Sequence, residues 1–385
     1  MPALAALAAV AALGLGAPLP AAPPAQDPYC TQTYGATDQA QPAPLRFGVD
    51  PELAGSAGPT QGTAKPEDQR KRDAALAALR PARRELVLRV NRLFWSDGAA
   101  GIQRFRRKVA HDTGLGYDVE LQVRYHPTPA QEGDMTAWRA YVRRVVDVFG
   151  ANPRVIAMTI TNEDNISVSP NTSDGAYRGA TQALVQGVIA ARREADRRGF
   201  GRLTFGFTYA WRFAPQSDRA LWTALAAGGK PFRRALGFVG VDAYPGSFYP
   251  PALAPGQSAG AALVQALATV RDCWMPMASL GAGVPIWITE NGYPTTPVVH
   301  SAAEQAAALG SMVDAAHAYA GTYGVTDYRW FNLRDNDSSG TGMFDTDGLL
   351  RDDYTPKPAF DALRRRIASF GASRAQPSRK RGRTG

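Results

Sequence analysis

Eight short apolar segments recur along the chain, and they constrain the fold more than any other feature. Two of them, VIAMTI at 155–160 and FVGVDAY at 238–244, are apolar almost throughout instead of alternating with polar residues. Strands that are covered on both faces show this pattern, which is typical of a parallel sheet packed under helices. The eight segments are 45–50, 86–91, 117–126, 155–163, 203–210, 237–244, 284–290 and 326–332.

The stretches between these segments carry the spacing of amphipathic helices. Trp138, Tyr141, Val142, Val145 and Phe149 fall three or four residues apart, and Gly150 then predicts a helix end. The segments end 34 to 46 residues apart, which suits one strand, one helix and a loop. Eight such units close on themselves better than they extend an open sheet, so the sequence predicts an α/β fold with a single (β/α)₈ TIM barrel over 45–370.

The two ends of the chain differ in composition from the barrel region. Residues 1–26 are rich in Ala, Leu and Pro and carry no charge, which predicts a secretory signal or a disordered lead. Residues 27–44 are interpreted as a lead-in segment and 371–385 as a basic disordered tail. We therefore expect a secreted protein, without a membrane partner because no later run is long and apolar enough to span a bilayer.

The net charge of +9 raises the possibility of nucleic-acid binding, but its distribution argues against it. Most other arginines are scattered over predicted helix faces, where solvated surface is the ordinary explanation. We expect no nucleic-acid partner, and a monomer. Five of the charges lie in the C-terminal tail, at Arg374, Arg379, Lys380, Arg381 and Arg383.

Polar and aromatic residues end most of the predicted strands, at the rim where parallel barrels place their active sites. Two of these residues are carboxylates, Glu163 at the end of the fourth strand and Glu290 at the end of the seventh. Strands four and seven lie roughly opposite each other in a ring of eight. Two facing carboxylates can protonate a glycosidic oxygen and attack the anomeric carbon, so the pair predicts glycoside hydrolysis.

Four motifs make the hypothesis more specific. The runs TITNE at 159–163, VDAYP at 241–245, WITENGYPT at 287–295 and YRWFNLRD at 328–335 resemble strand signatures of clan A retaining glycoside hydrolases, the clan of the cellulase-type family five and its relatives. The resemblance covers about residues 45–370. One departure is Asp242-Ala243-Tyr244, where many clan members carry His-x-Tyr.

The resemblance implies roles for seven residues. Glu163 is the implied acid/base and Glu290 the implied nucleophile of a double displacement on a poly- or oligosaccharide. The implied substrate-binding residues are Asn162 for a sugar hydroxyl, Tyr244 beside the nucleophile, Trp330 as a sugar platform, Arg92 on strand two and His126 on strand three. No cofactor and no metal are expected.

Three other functions stay open at this point. A carbohydrate-binding barrel without catalysis is the main alternative, although both carboxylates are present. A metal-dependent barrel hydrolase would need several His and Asp at strand ends, whereas the chain has four His and His126 alone ends a predicted strand. A nucleic-acid binder would depend on the basic tail.

The segment 335–348 resembles the start of a calcium loop. Its twelfth position is Thr346, where an EF-hand loop places a bidentate Glu, and the flanking helices are not predicted. Asp, Asn, Ser and Gly are also common turn residues, so a loop after the eighth strand is the favoured interpretation.

The two cysteines, Cys30 and Cys273, have no CxxC spacing, which disfavours a zinc or redox motif. Cys273 is expected near the lower end of a barrel helix, and Cys30 precedes the first strand, which starts at the same face. We therefore predict a Cys30–Cys273 disulfide at the bottom of the barrel, formed in the oxidising environment outside the cell.

Overall fold

A computed structural model describes residues 30, 39–53, 64–167, 169–211, 215–295, 300–342 and 344–373. Its eight strands form a closed parallel barrel in chain order, and the last strand pairs with the first. The predicted (β/α)₈ barrel is therefore confirmed. The strands are β1 Arg46–Val49, β2 Val87–Phe94, β3 Asp118–Arg124, β4 Val155–Ile160, β5 Thr204–Ala210, β6 Phe238–Ala243, β7 Ile286–Asn291 and β8 Val325–Trp330.

Helices follow the strands and cover the barrel, and several have clear start signals. Asp134 accepts hydrogen bonds from the backbone N–H groups of Thr136 and Ala137 at the start of α3. Ser301 and Glu304 form a capping box at the start of α9. The helices are α1 Gln69–Leu79, α2 Gly98–Gly114, α3 Met135–Phe149, α4 Ala180–Arg198, α5 Pro215–Ala227, α6 Gly229–Ala235, α7 Ala259–Thr269, α8 Met275–Met277, α9 Ala302–Ala318, α10 Ala320–Tyr323 and α11 Pro358–Phe370.

The predicted stripe on α3 faces the core. Trp138 is fully buried, and its indole N–H donates to the carbonyl of Ala183 on α4 at 2.8 Å. Among the described residues, no helix is long and apolar enough to cross a membrane.

The two cysteines lie together at the predicted face of the barrel. Their Cα atoms are 5.8 Å apart, a disulfide distance. Arg271, two residues before Cys273, donates to the carbonyls of Val284 and Tyr323, which lie two residues before the starts of β7 and β8. The pair therefore lies beside the strand starts, opposite the rim where the strands end.

The two chain ends are described in part. Gly321 donates its backbone N–H to the carbonyl of Gln41, and Leu45 pairs with Gly371. These contacts attach residues 41–45 to the last helices. The predicted signal or lead at 1–26 and most of the predicted basic tail, from residue 374 on, lie outside the described residues.

Candidate active site

A cavity of about 200 Å³ opens at the carboxyl ends of the strands, where the sequence analysis expected a site. Five of the seven proposed site residues line it. The lining residues are Asn91, Arg92, Gln122, Arg124, Asn162, Glu163, Ile166, Ser169, Asn171, Thr172, Tyr244, Phe248, Tyr249, Glu290, Phe331 and Phe344.

The two predicted carboxylates meet in this cavity. One carboxyl oxygen of Glu163, one of Glu290 and one of Asp242 all lie within 4.8 Å of one another. Both glutamates are buried. Retaining glycosidases hold their two carboxyl groups about 5 Å apart, so this spacing leaves room for direct attack on a sugar and too little for an intervening water.

Glu290 is held by two donors. The Tyr244 hydroxyl donates to Oε2 at 2.6 Å, and Nη1 of Arg89 donates to Oε1 at 2.6 Å. Arg89 lies in the middle of β2 and is fully buried. Both carboxylate oxygens of Glu290 are therefore fixed in direction, as a nucleophile requires.

Glu163 is in a different electrostatic environment. Burial, together with the charge of Glu290, raises its pKa to about 8, although a hydrogen bond from the Tyr249 hydroxyl at 2.9 Å acts against the rise. Glu163 is therefore protonated at neutral pH. Glu163 is thus suited to donate a proton, whereas Glu290 has both oxygens held by hydrogen bonds from Arg89 and Tyr244.

Asn162 is fixed by hydrogen bonds on both sides of its amide. Its Oδ1 accepts from Gln122 at 2.6 Å and from Thr208 at 2.9 Å, while its Nδ2 donates to the carbonyl of Thr172 at 2.9 Å. The side chain lines the cavity next to Glu163.

Backbone strain is concentrated at this rim. Thr161 has φ 66° and Glu163 has φ 49°, so both have left-handed conformations that side chains disfavour. Arg92, at the end of β2, has φ 62°. Such conformations persist where the surrounding structure imposes them, and they are frequent at functional sites.

Asp242 is a third carboxyl group under the pair. It is fully buried and accepts a hydrogen bond from Thr289 at 2.6 Å. Burial and the charge of Glu290 raise its pKa well above the ordinary value. Within the described residues, Glu163, Asp242 and Glu290 are the set of carboxyl groups close enough to share a metal ion. Arg89, Tyr244 and Tyr249 bond two of the three, and Thr289 bonds Oδ1 of the third.

A row of alternating charges, buried except for the half-buried Arg46, leads from Glu290 down through the barrel. Asp327 accepts from Arg46 at 2.7 Å and from Arg329 at 2.6 Å, and Arg329 also bonds Glu120 at 3.1 Å. Gly48 makes room for this row, because a Cβ there would lie 2.5 Å from Cδ of Arg329. The row consists of Arg46, Asp327, Arg329, Glu120, Arg89 and Glu290.

Aromatic side chains form the wall of the cavity on the side of β6 and β8. Tyr244 and Phe331 are buried there, and Phe248, Tyr249 and Phe344 pack against them. The ring centroids of Phe248 and Phe344 are 5.2 Å apart, so the loop after β6 meets the loop after β8. Flat apolar rings of this kind suit the C–H faces of sugars.

Two predicted binding residues do not line the cavity. Trp330, the last residue of β8, is fully buried in the core, and Phe331, the first residue after the strand, lines the cavity instead. The His126 ring stacks on Phe94 with centroids 4.4 Å apart, and its Nδ1 lies 3.2 Å from the Ser96 hydroxyl. Their proposed contacts with sugar remain predictions.

The sequence analysis missed Arg89 and Tyr249. Arg89 interrupts the apolar run LVLRV at 86–90, and a charge inside a buried strand is the signal that could have identified it. Tyr249 lies in the loop YPGSFYPP at 244–251, where nothing in the pattern separates it from an ordinary surface tyrosine.

The segment with calcium-loop resemblance forms a loop after β8, as favoured. A lysine from the start of α11 fills it: Nζ of Lys357 bonds Oδ1 of Asp335 at 2.7 Å, Oγ1 of Thr295 at 2.9 Å and the carbonyl of Thr346 at 3.0 Å. Lys357 and Asp335 are both buried. The ammonium group of Lys357 therefore occupies a position within this loop and pairs with Asp335.

Comparison with known proteins gives structural but no sequence matches. No family model matches the chain, and no curated protein sequence does. A family 1 β-glucosidase from Thermotoga maritima in complex with isofagomine lactam superposes with a TM-score of 0.58 at 14% identity, covering 87% of this chain and 100% of its own. The likeness is one of fold, a (β/α)₈ barrel over most of the chain.

Family 5 barrels give the same result. A variant GH5_18 protein from Streptomyces cattleya in complex with Manβ1-4GlcNAc has a TM-score of 0.58 at 17% identity, over 86% of this chain and 83% of its own. A GH5_18 protein from Bifidobacterium longum subsp. infantis has a TM-score of 0.56 at 15% identity, over 86% and 80%. These likenesses confirm the clan resemblance at the level of the fold.

Proposed function

We propose that the chain is a retaining glycoside hydrolase with Glu290 as nucleophile and Glu163 as acid/base. The observation that carries the proposal is the pair of buried carboxyl groups with oxygens within 4.8 Å, one bonded by Arg89 and Tyr244 and the other protonated below a pKa of about 8. The clan A fold of the neighbouring structures supports it.

The proposed reaction has two steps. Glu290 attacks the anomeric carbon while Glu163 donates its proton to the leaving oxygen, which gives a glycosyl-enzyme and a free alcohol. Glu163, now a carboxylate, takes a proton from water, and the water oxygen displaces Glu290 from the same carbon. Two inversions retain the anomeric configuration.

The substrate class is proposed from the site and the neighbours together. The neighbours include a β-glucosidase and GH5_18 proteins that hold GlcNAc or Manβ1-4GlcNAc. We propose a β-linked glycoside, with Asn162 and the aromatic wall contacting the ring bound next to Glu290. We propose that the enzyme is secreted, supported by the apolar segment 1–26 and the paired cysteines.

The test is turnover of a panel of 4-nitrophenyl β-glycosides, with the product anomer followed by proton NMR. We expect retention, and Glu290→Ala should abolish turnover. Glu163→Ala should still be glycosylated by an aryl glycoside with a good leaving group, and azide should restore deglycosylation. Inverted product, or wild-type rates in either variant, would overturn the proposal. Sugar binding without turnover by the wild type would favour the carbohydrate-binding alternative.

A further inference from the structure

Arg92 is placed at the cavity by an irregularity in β2. The pairing of β2 with β3 shifts register between Val90 and Leu93, so the strand contains a bulge there. Bulges redirect side chains and are frequent next to active sites. Together with the left-handed backbone of Arg92, the bulge allows the adjacent residues Asn91 and Arg92 both to line the cavity.

The charge of Arg92 has no carboxylate partner. Its guanidinium donates to the side-chain oxygen of Asn91 at 3.1 Å and to the carbonyl of Leu53 at 2.5 Å, and it forms no ion pair with any described residue. The segments 54–63, 168, 212–214, 296–299 and 343, which lie outside the described residues, contain no Asp or Glu. They cannot provide the missing counter-ion.

The two acidic residues near Arg92, Glu52 and Asp50, interact with other side chains. Glu52 is ion-paired with Lys108. Asp50 accepts a hydrogen bond from Asn91 at 2.5 Å and lies 3.8 Å from Nη1 of Arg89, and burial raises its pKa to about 8. Burial lowers the pKa of Arg92, whereas carboxylate neighbours raise the pKa of Arg89. Arg92 is therefore a partly buried cation whose desolvation is only partly compensated within the described protein.

Arg124 adds a second donor to the same cavity. Its Nε bonds Asp174 at 2.8 Å, but its Nη2 is buried and has no hydrogen-bond partner among the described residues. The residue is 2% exposed and lines the cavity with Arg92. Unsatisfied buried donors in a cleft point to a ligand that satisfies them.

We propose that Arg92, with Nη2 of Arg124, binds an anionic substituent on the sugar ring, so that the substrate is a uronide or another acidic glycoside. The assignment rests on the proposed function and names its substrate class. Guanidinium groups recognise carboxylate, sulfate and phosphate oxygens through charge-assisted hydrogen bonds. A carboxylate is the smallest of the three and suits a cavity of about 200 Å³.

Binding of free sugars tests the proposal without requiring turnover. Calorimetry would compare D-glucuronate, D-galacturonate and D-mannuronate with their neutral parent sugars, and would include glucose 6-sulfate and glucose 6-phosphate. At least one acidic sugar should bind about ten- to a hundredfold more tightly than its neutral partner. Tight binding of the sulfate or phosphate ester alone would support the anion site and identify an ester as its ligand. Equal binding of acidic and neutral sugars, or no binding of any acidic sugar, would overturn it.

Substitutions test whether Arg92 causes the preference for acidic over neutral sugars. Arg92→Gln should remove the preference for the acidic sugar, Arg92→Lys should keep part of it, and the exposed control Arg106→Gln should leave it unchanged. Circular dichroism checks folding; if Arg92→Gln does not fold, the wild type is tested by adding salt, which should weaken acidic but not neutral binding. A preference unaffected by Arg92→Gln, or by salt, would overturn the proposal.

Kinetics separate this proposal from the proposed function. If acidic sugars bind through Arg92 but no glycoside is cleaved, the anion site is supported and the proposed hydrolase function is contradicted. If neutral nitrophenyl glycosides are cleaved as fast as their uronides, and Glu290→Ala loses this activity, the hydrolase function is supported and the anion site is contradicted.

Discussion

The Tyr249 hydroxyl donates a hydrogen bond to Oε1 of Glu163 at 2.9 Å. Five residues earlier in the same loop, Tyr244 bonds Glu290, and the two tyrosines are joined by an antiparallel bridge. One loop after β6 thus holds both carboxyl groups. A change in this loop should affect the proton donor and the nucleophile together.

Tyr249→Phe removes a donor that stabilises the carboxylate form of Glu163. The pKa of Glu163 should therefore rise, and the alkaline limb of kcat/KM should move to higher pH. Activity at the optimum should fall by about tenfold, because the carboxyl group is less well oriented. A pH–rate profile measures both effects, and Tyr319→Phe, far below the cavity, is the control. An unmoved limb would show that this hydrogen bond does not influence the acid.

The pH dependence of the wild type follows from Glu163. Because its pKa is raised to about 8 and the acid must be protonated, turnover should decline as pH rises through about 8. Glu290→Gln removes a negative neighbour and should lower the pKa of Glu163. Carbon-13 NMR of labelled glutamate measures this in the inactive variant. If Glu163 titrates identically in both proteins, Glu290 is not a cause of the shift.

Raised carboxyl pKa values also predict how stability changes with pH. Glu163 and Asp50 stay protonated in the folded protein up to about pH 8 but ionise near their ordinary values when unfolded. The folded state holds more protons in this window, so the contribution of these groups to stability falls as pH rises from about 5 to 8. Asp50→Asn should flatten the dependence of Tm on pH, whereas the exposed Asp361→Asn should not. A steeper slope in Asp50→Asn would contradict the argument.

Lys357→Met should destabilise the loop after β8. It leaves Asp335 buried without its cation, and breaking a buried pair from one side costs about 3 to 5 kcal/mol. Urea unfolding gives the free energy, and the exposed Lys230→Met should change it by less than about 0.5 kcal/mol. Added Ca²⁺ should not stabilise the wild type. Calcium-dependent stabilisation would instead support the metal-loop interpretation.

Cys273→Ser should remove the covalent link to Cys30 and lower the free energy of unfolding by about 2 to 5 kcal/mol. Activity at moderate temperature should be kept, because the pair lies at the end of the barrel away from the cavity. Alkylation of the denatured, unreduced protein followed by mass measurement decides whether the bond exists. Two alkylated thiols would mean that it does not.

The sequence predicted the barrel because its signal is repeated eight times, so no single segment decides it. The carboxylates were predicted for a related reason: Glu163 and Glu290 each end a strongly apolar strand, and strand ends define the rim. The direction in which a single side chain points was harder to predict. Whether Trp330 or Phe331 faces the cavity depends on the local alternation of β8, which a run of aromatic residues hides.

Contacts between distant loops could not be predicted from local pattern. Lys357 reaches a loop that begins 22 residues earlier, and no spacing rule connects a helix start to that loop. The bulge in β2 separates Arg89, which bonds Glu290, from Arg92, which lines the cavity, and only the observed register shows it. Bulges have no sequence signature when the inserted residue is polar and the strand is otherwise ordinary.

The row of alternating charges beneath Glu290 is connected to the cavity but does not line it, apart from Glu290 itself. Asp327 and Arg46 lie at the far end of the row, at the start of β8 and β1, yet each charge sets the position and field of the next. If the proposed function holds, substitutions in the floor of the barrel should change the reactivity of Glu290 while the side chains that line the cavity stay as they are. For directed evolution, this makes the lower strand ends a place to alter rate independently of specificity.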